Sequence, residues 1–183
     1  AGPLFCPYDG LSSFALEPAY ICLKSFPELI GKKFGLVSEN SNYLDYAVKE
    51  EKLRLLWDVY LACDLSEALD FEDFQRKNFY WLRDFALFKV LKKRHQGKPW
   101  YEWGEKFKQR GRQALQVFQQ ENIEEVTFQI WLQWILFKQF KEAIKYAAQN
   151  NILIKGDLPV LVSRDSADVW SHPQFFKLDF ASG

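Results

Sequence analysis

A helical pattern that ends at Asn150-Asn151 runs directly into Ile152-Leu153-Ile154, a short segment with no polar side chain. A helix feeding such a run is the pattern of a buried parallel strand, since only a strand covered on both faces is apolar at every position. The expected class is therefore α/β and not a helical bundle. Apolar residues resume at Leu158 after Lys155-Gly156-Asp157. Pro159 has no N–H for a central ladder, so the strand is expected to end near Lys155 or Gly156. Asp157 then falls at the carboxyl end of a strand, where α/β sheets and barrels hold their ligands.

Upstream, the chain divides by period. Residues 1–20 are irregular, punctuated by Pro3, Pro7, Gly10 and Pro18, with Tyr8-Asp9-Gly10 read as a turn. A loop is expected through Gly31, Gly35 and 38–41. Leu53, Leu56, Trp57, Tyr60 and Leu61 then fall on one helical face. Asp70 with Asp73 resembles an acidic capping box, opening a second helix that runs through Phe88 and ends at Gly97 and Pro99. A third helix carries Phe107, Ala114, Leu115 and Phe118. A fourth, capped by Thr127, spans 128–149; its first half is apolar all round, and its second narrows to Phe137, Phe140, Ile144 and Ala147.

Composition excludes more than it selects. The 183 residues balance to a formal net charge of zero, which offers no electrostatic footprint for nucleic acid or an anionic membrane. The longest apolar stretch, around residues 131–137, is too short to cross a bilayer. Cys6, Cys22 and Cys63 lack metal-ligand spacing, and with no signal peptide a reduced, cytoplasmic setting is expected. The absence of Met suggests that the chain begins inside a longer reading frame or after processing. Aromatic residues make up 17% of the chain, and such rings serve cores and flat ligand platforms equally well.

Chemistry on sugars needs paired carboxyl groups. The tail offers Asp157, Asp165, Asp168 and Asp179, interleaved with Ser166, Trp170 and His172. That is suitable material for holding a polyhydroxylated ligand, and equally suitable for a turn and cap before a short helix; residue chemistry leaves both readings open. The basic run from Lys106 to Arg112 reads as a solvated helix face before it reads as a phosphate contact, as does Lys92-Lys93-Arg94-His95. Trp100-Tyr101-Glu102-Trp103 is either a sugar platform or a plug where helices meet. With His95 and His172 alone, no Ser-His-Asp or Cys-His arrangement is legible, and no Gly-rich phosphate loop is present.

The segment from Gly156 to Trp170 closely resembles the G-D-[ILM]-P-[IV]-x-V-x-x-D-S-A-[DE]-V-W stretch of glycoside hydrolase family 77, the 4-α-glucanotransferases or amylomaltases. Cys6-Pro7-Tyr8 with Ser12-Ser13-Phe14-Ala15 is similar to the family's S-P-Y-x-x-x-S-x-F-A opening. Residues 81–88, followed by Trp100 and Trp103, resemble its W-L-x-D-[YF]-A-x-F segment and later W-x-x-W. Gln133-Trp134 and Gln139 resemble the helix leading into the strand.

The resemblance implies part of a (β/α)8 barrel with a large helical insertion, the chain itself mostly α-helical with one or a few short strands. Residues 1–41 would form early barrel loops, 42–126 the insertion, and 127–183 a barrel helix, the third strand at 152–155 and the D-S-A-D-V-W loop. It implies transfer of α-1,4-glucan segments between maltooligosaccharides with retention, without metal or organic cofactor. Tyr8 and Asp165 match family residues at the donor sugar; Asp157, Ser166, Asp168 and Trp170 are supporting candidates. Cys6 stands where the family has Ser, which alters that edge of the pocket. The family's R-[IV]-D-H and A-E-D-L-G motifs, which hold its nucleophile and its acid/base, do not occur in this sequence. The chain alone is expected to be inactive and its lone strand to need a partner. The competing reading is a standalone helical glucan-binding or protein-interaction module.

Overall fold

The computed structural model describes residues 10–29, 47–65, 68–156 and 162–178. Among them are seven α-helices: α1 (Ala47–Ala62), α2 (Leu69–Lys77), α3 (Phe79–Arg94), α4 (Glu105–Lys108), α5 (Arg112–Glu121), α6 (Ile123–Gln149) and α7 (Ala167–Ser171). Short 3-10 turns fill several connections, and no described residue is in a strand. The chain forms two compact units, one drawn from residues 10–15, 75–130 and 155–178, the other from 16–74 and 131–154.

In the first unit α3 supplies the core. Trp81, Leu82, Phe85, Leu87, Phe88 and Leu91 are each at most 5% exposed, too many for one narrow stripe, so α3 is covered on most of its circumference. Three of the described helices end in the same way. At α3 the Gly97 N–H bonds to the Lys92 carbonyl (2.8 Å) and the Gln96 N–H to that of Lys93 (3.1 Å). At α6 the Ile152 and Asn151 N–H groups reach the Ala147 and Ala148 carbonyls, and at α4 those of Gly111 and Arg110 reach Lys106 and Phe107. Each is a Schellman cap, with its pivot residue (Gln96, Asn151 or Arg110) at φ between 55° and 58°.

In the second unit Trp131 of α6 packs against Tyr60 of α1 and the turn residue Phe26, and Leu132, Leu136, Leu56, Val59 and Ile21 are buried as well. Two glutamines of α6 hold the irregular segment that precedes α1. The Gln133 side chain, 1% exposed, accepts from the Leu16 N–H (2.8 Å) and donates to the Leu16 carbonyl (2.9 Å). Gln139 treats Cys22 in the same manner, at 2.7 and 3.2 Å. A chain without ladder partners thus has its backbone polar groups satisfied by side chains. Gln133→Leu is expected to lower stability by about 1–3 kcal/mol, because it strips both Leu16 groups of their partner without leaving a cavity. Urea unfolding measures the loss.

Several expectations are corrected. The strand at residues 152–155 is not formed: 152–156 is irregular, with Ile152, Leu153 and Ile154 at 57%, 96% and 54% exposure. A parallel strand owes its stability to paired neighbours, and no described residue offers a ladder. The helix expected from 70 through 88 is broken at Asn78 into α2 and α3, and the third is divided by left-handed Arg110 into α4 and α5. The fourth begins at Ile123, so Thr127 is inside α6 and caps nothing. In α1 the buried face is Leu55, Leu56, Val59 and Tyr60, while Leu61 is exposed. Phe140 and Ile144, expected on a buried stripe, are 45% and 41% exposed.

Candidate functional site

The tail motif builds a tight loop against α3. Ser166, fully buried, has extended backbone and accepts from the Val169 N–H (3.2 Å), which caps α7 as its sequence position before Ala-Asp-Val-Trp demands. Trp170 on α7 is also fully buried. Its indole N–H donates to the Phe107 carbonyl (3.0 Å), its ring packs with Phe88 and Trp103, and the Arg110 guanidinium sits 4.3 Å from the ring centre. Ser166 and Trp170 therefore shape the loop from inside.

Asp165 is the group the loop presents. One carboxylate oxygen forms an ion pair with Lys92 of α3, and the other accepts from the Trp100 N–H (3.2 Å). The Trp100 indole N–H donates to the Arg164 carbonyl (2.7 Å), and the Arg164 guanidinium covers the Tyr101 ring at 4.4 Å. The side chain of Asp165 keeps 26% exposure and that of Lys92 17%. An ionised carboxylate has about four acceptor positions, so two protein contacts leave room for hydroxyl donors.

Asp168 joins two segments that are 155 residues apart. It accepts from the Ser13 N–H (2.6 Å) and the Ser12 hydroxyl (3.2 Å), and the neighbouring Ala167 N–H bonds to the Leu11 carbonyl (2.8 Å). Ser12 Oγ in turn accepts from the Phe14 and Ala15 N–H groups, fixing a turn. Phe14 then stacks on Trp81 and meets Tyr80 edge-on. The segment directly after Cys6-Pro7-Tyr8 is thereby fastened to α7. Tyr8, Cys6 and Asp157 lie outside the described residues.

Asp165, Ser166, Asp168 and Trp170 are thus brought together on one loop, with Lys92, Trp100, Ser12 and Ser13 as partners. The sequence pattern around Lys92 is that of a solvated charge; its burial depends on α3 facing the loop, which no local pattern encodes. Trp100 and Trp103, at 6% and 3% exposure, form a plug and not an open platform. The indole N–H of Trp103 donates to the Lys98 carbonyl (3.0 Å), and His95 stacks on its ring.

The sequence model of the 4-alpha-glucanotransferases matches residues 2–183. The 4-alpha-glucanotransferase of Synechocystis is 38% identical over 97% of the chain and that of Thermus thermophilus 34% over 94%. That of Aquifex aeolicus is 43% identical over 72%. Among solved structures, the amylomaltase of Streptococcus agalactiae in complex with acarbose superposes with a TM-score of 0.79 at 27% identity, over 96% of this chain. The helical scaffold thus matches the corresponding part of an amylomaltase. The chain belongs to the 4-alpha-glucanotransferase family of glycoside hydrolases. It spans 27–37% of the length of these relatives.

No helix among the described residues is long and apolar enough to cross a membrane.

Proposed function

We propose that the chain is the donor-side binding part of a cytoplasmic 4-α-glucanotransferase, which moves α-1,4-glucan segments between maltooligosaccharides by a retaining double displacement. The observation that carries this reading is the pair of bonds from Ser12 and Ser13 to Asp168, which couples the segment after Tyr8 to the loop bearing Asp165. Tyr8 then supplies a ring face and Asp165 an acceptor for sugar hydroxyls, a combination suited to a polyhydroxylated ring with apolar C–H faces. Lys92 keeps the carboxylate aimed, and Ser166 and Trp170 hold the loop.

In this reading residues 1–41 contribute early loops of a (β/α)8 barrel, 42–126 a helical insertion beside the cleft, and 127–183 a barrel helix and the loop that follows its strand. Residues 152–155 become that strand only when neighbouring barrel strands supply the ladder. The two carboxyl groups that a retaining mechanism needs as nucleophile and acid/base lie in motifs this sequence does not contain. The chain contributes binding and orientation, with neither metal nor organic cofactor, and without nucleic-acid or membrane partners.

The test is disproportionation. Incubated with maltotriose, the chain alone is expected to release no glucose and form no longer maltodextrins, whereas a form extended through the remaining barrel does both. Turnover by the 183-residue chain itself would assign chemistry to its own carboxylates and overturn the division of labour. An extended form that binds glucan but never transfers it would favour the binding-module reading.

A further inference from the structure

The groove between α3 and the start of α5 carries an arrangement that glucan transfer does not use. Arg83, Arg110 and Arg112 line it, with Leu87 and Leu115 as buried apolar wall and Asp84 as the sole carboxylate. Its volume is about 230 Å³, below the roughly 300–1,000 Å³ of sites that take drug-sized ligands. Asp84 pairs with Arg110 (2.8 Å), and the neutral Gln119 amide oxygen takes Arg83 Nε (2.9 Å). Arg112 has no hydrogen-bond or ion-pair partner among the described residues, which leaves two guanidinium charges unneutralised around the groove.

Local rules are broken together at this place. Arg110 takes the left-handed pivot of the Schellman cap (φ 55°), as Gln96 and Asn151 do at theirs. Its Nη1 is buried with no acceptor among the described residues. Arg112 opens α5, whose first turn holds no acidic residue and whose Gly111 cap offers no side chain, so a cation stands at the positive end of the helix dipole. An anion in the groove relieves the charge at both Arg112 and Arg83.

We propose that this groove binds a phosphate group, as inorganic phosphate or as the monoester of one hexose. Guanidinium forks match phosphate oxygens in bidentate geometry. The site is separate from the glucan reading, and its test does not use transfer activity.

The experiment is calorimetric titration of the intact protein with sodium phosphate and with glucose 1-phosphate, against sodium chloride at matched ionic strength. Saturable one-to-one binding of at least one phosphate, and none of chloride, is expected. Arg112→Gln and Arg83→Gln, both at exposed positions, are each expected to weaken it by about tenfold or more. Tighter binding of the hexose ester assigns the site to a sugar phosphate, and equal binding assigns it to the phosphate group alone. Absence of saturable binding to either probe, or affinity undiminished in both variants, overturns the proposal.

Discussion

Replacing Trp170 with alanine is expected to destabilise the protein by about 3–5 kcal/mol, the usual cost of emptying a large aromatic site in a closed core. The side chain has no exposed surface and is bounded by Phe88, Trp103 and the Arg110 guanidinium. Its removal also ends the hydrogen bond to the Phe107 carbonyl. Trp170→Phe separates the contributions. It keeps much of the ring, and Phe107 retains its bond from the Arg110 N–H (3.2 Å), so about 1 kcal/mol of hydrogen-bond loss is expected beyond the smaller ring's packing deficit. Urea unfolding should show a lower midpoint at unchanged slope for both variants, with the alanine far lower. Equal midpoints for the two would mean that the pocket collapses onto the missing ring and that Trp170 does not organise the loop.

The second large effect is expected at Asp168, and on function more than on stability. Asp168→Ala removes the acceptor of the Ser13 N–H and Ser12 hydroxyl, releasing the segment after Tyr8 from α7. In the complete transferase a displacement of about 1 Å in a sugar-holding side chain costs up to about a hundredfold in kcat/KM. The loss should fall mainly on KM, since Asp168 is placed as a positioning residue and touches no reacting atom. Asp168→Asn keeps an oxygen for the Ser13 N–H and should restore most of the activity. A purely structural role would instead lower the unfolding midpoint of the alanine variant while leaving KM unchanged.

How far the chain could be read in advance varied with the kind of signal. The stop at Asn150-Asn151 was legible because Asn tolerates the left-handed pivot that ends α6, whereas the cap of α7 falls on Ser166 and not on either neighbouring Asp. The break at Asn78 was not legible, because neither Gly nor Pro marks it and the polar run Gln75-Arg76-Lys77-Asn78 reads as part of one continuous helix. Nor was the start of α6 at Ile123, where Glu124 and Glu125 fill a first turn that Thr127 seemed better placed to open. Leu61 was assigned to the wrong edge of its helix because a face defined by period alone is about one residue uncertain in rotation.

The acids of the tail show the same division. Asp165 and Asp168 read equally as sugar ligands or as turn and cap residues before a short helix, and in the structure Ser166 is the cap while Asp168 lies in the first turn of α7. Their partners Lys92, Trp100 and Ser13 are 73, 65 and 155 positions away. No local periodicity carries such pairings; they arise when α3 and the loop share a core. Ile152-Leu153-Ile154 makes the point from the opposite side. Its composition by itself raises only the expectation of a buried strand, and the described residues 152–156 are irregular and exposed. Whether it becomes one is decided by tertiary structure alone, since a strand's hydrogen bonds are made to other strands, whereas a helix such as α6 carries its own.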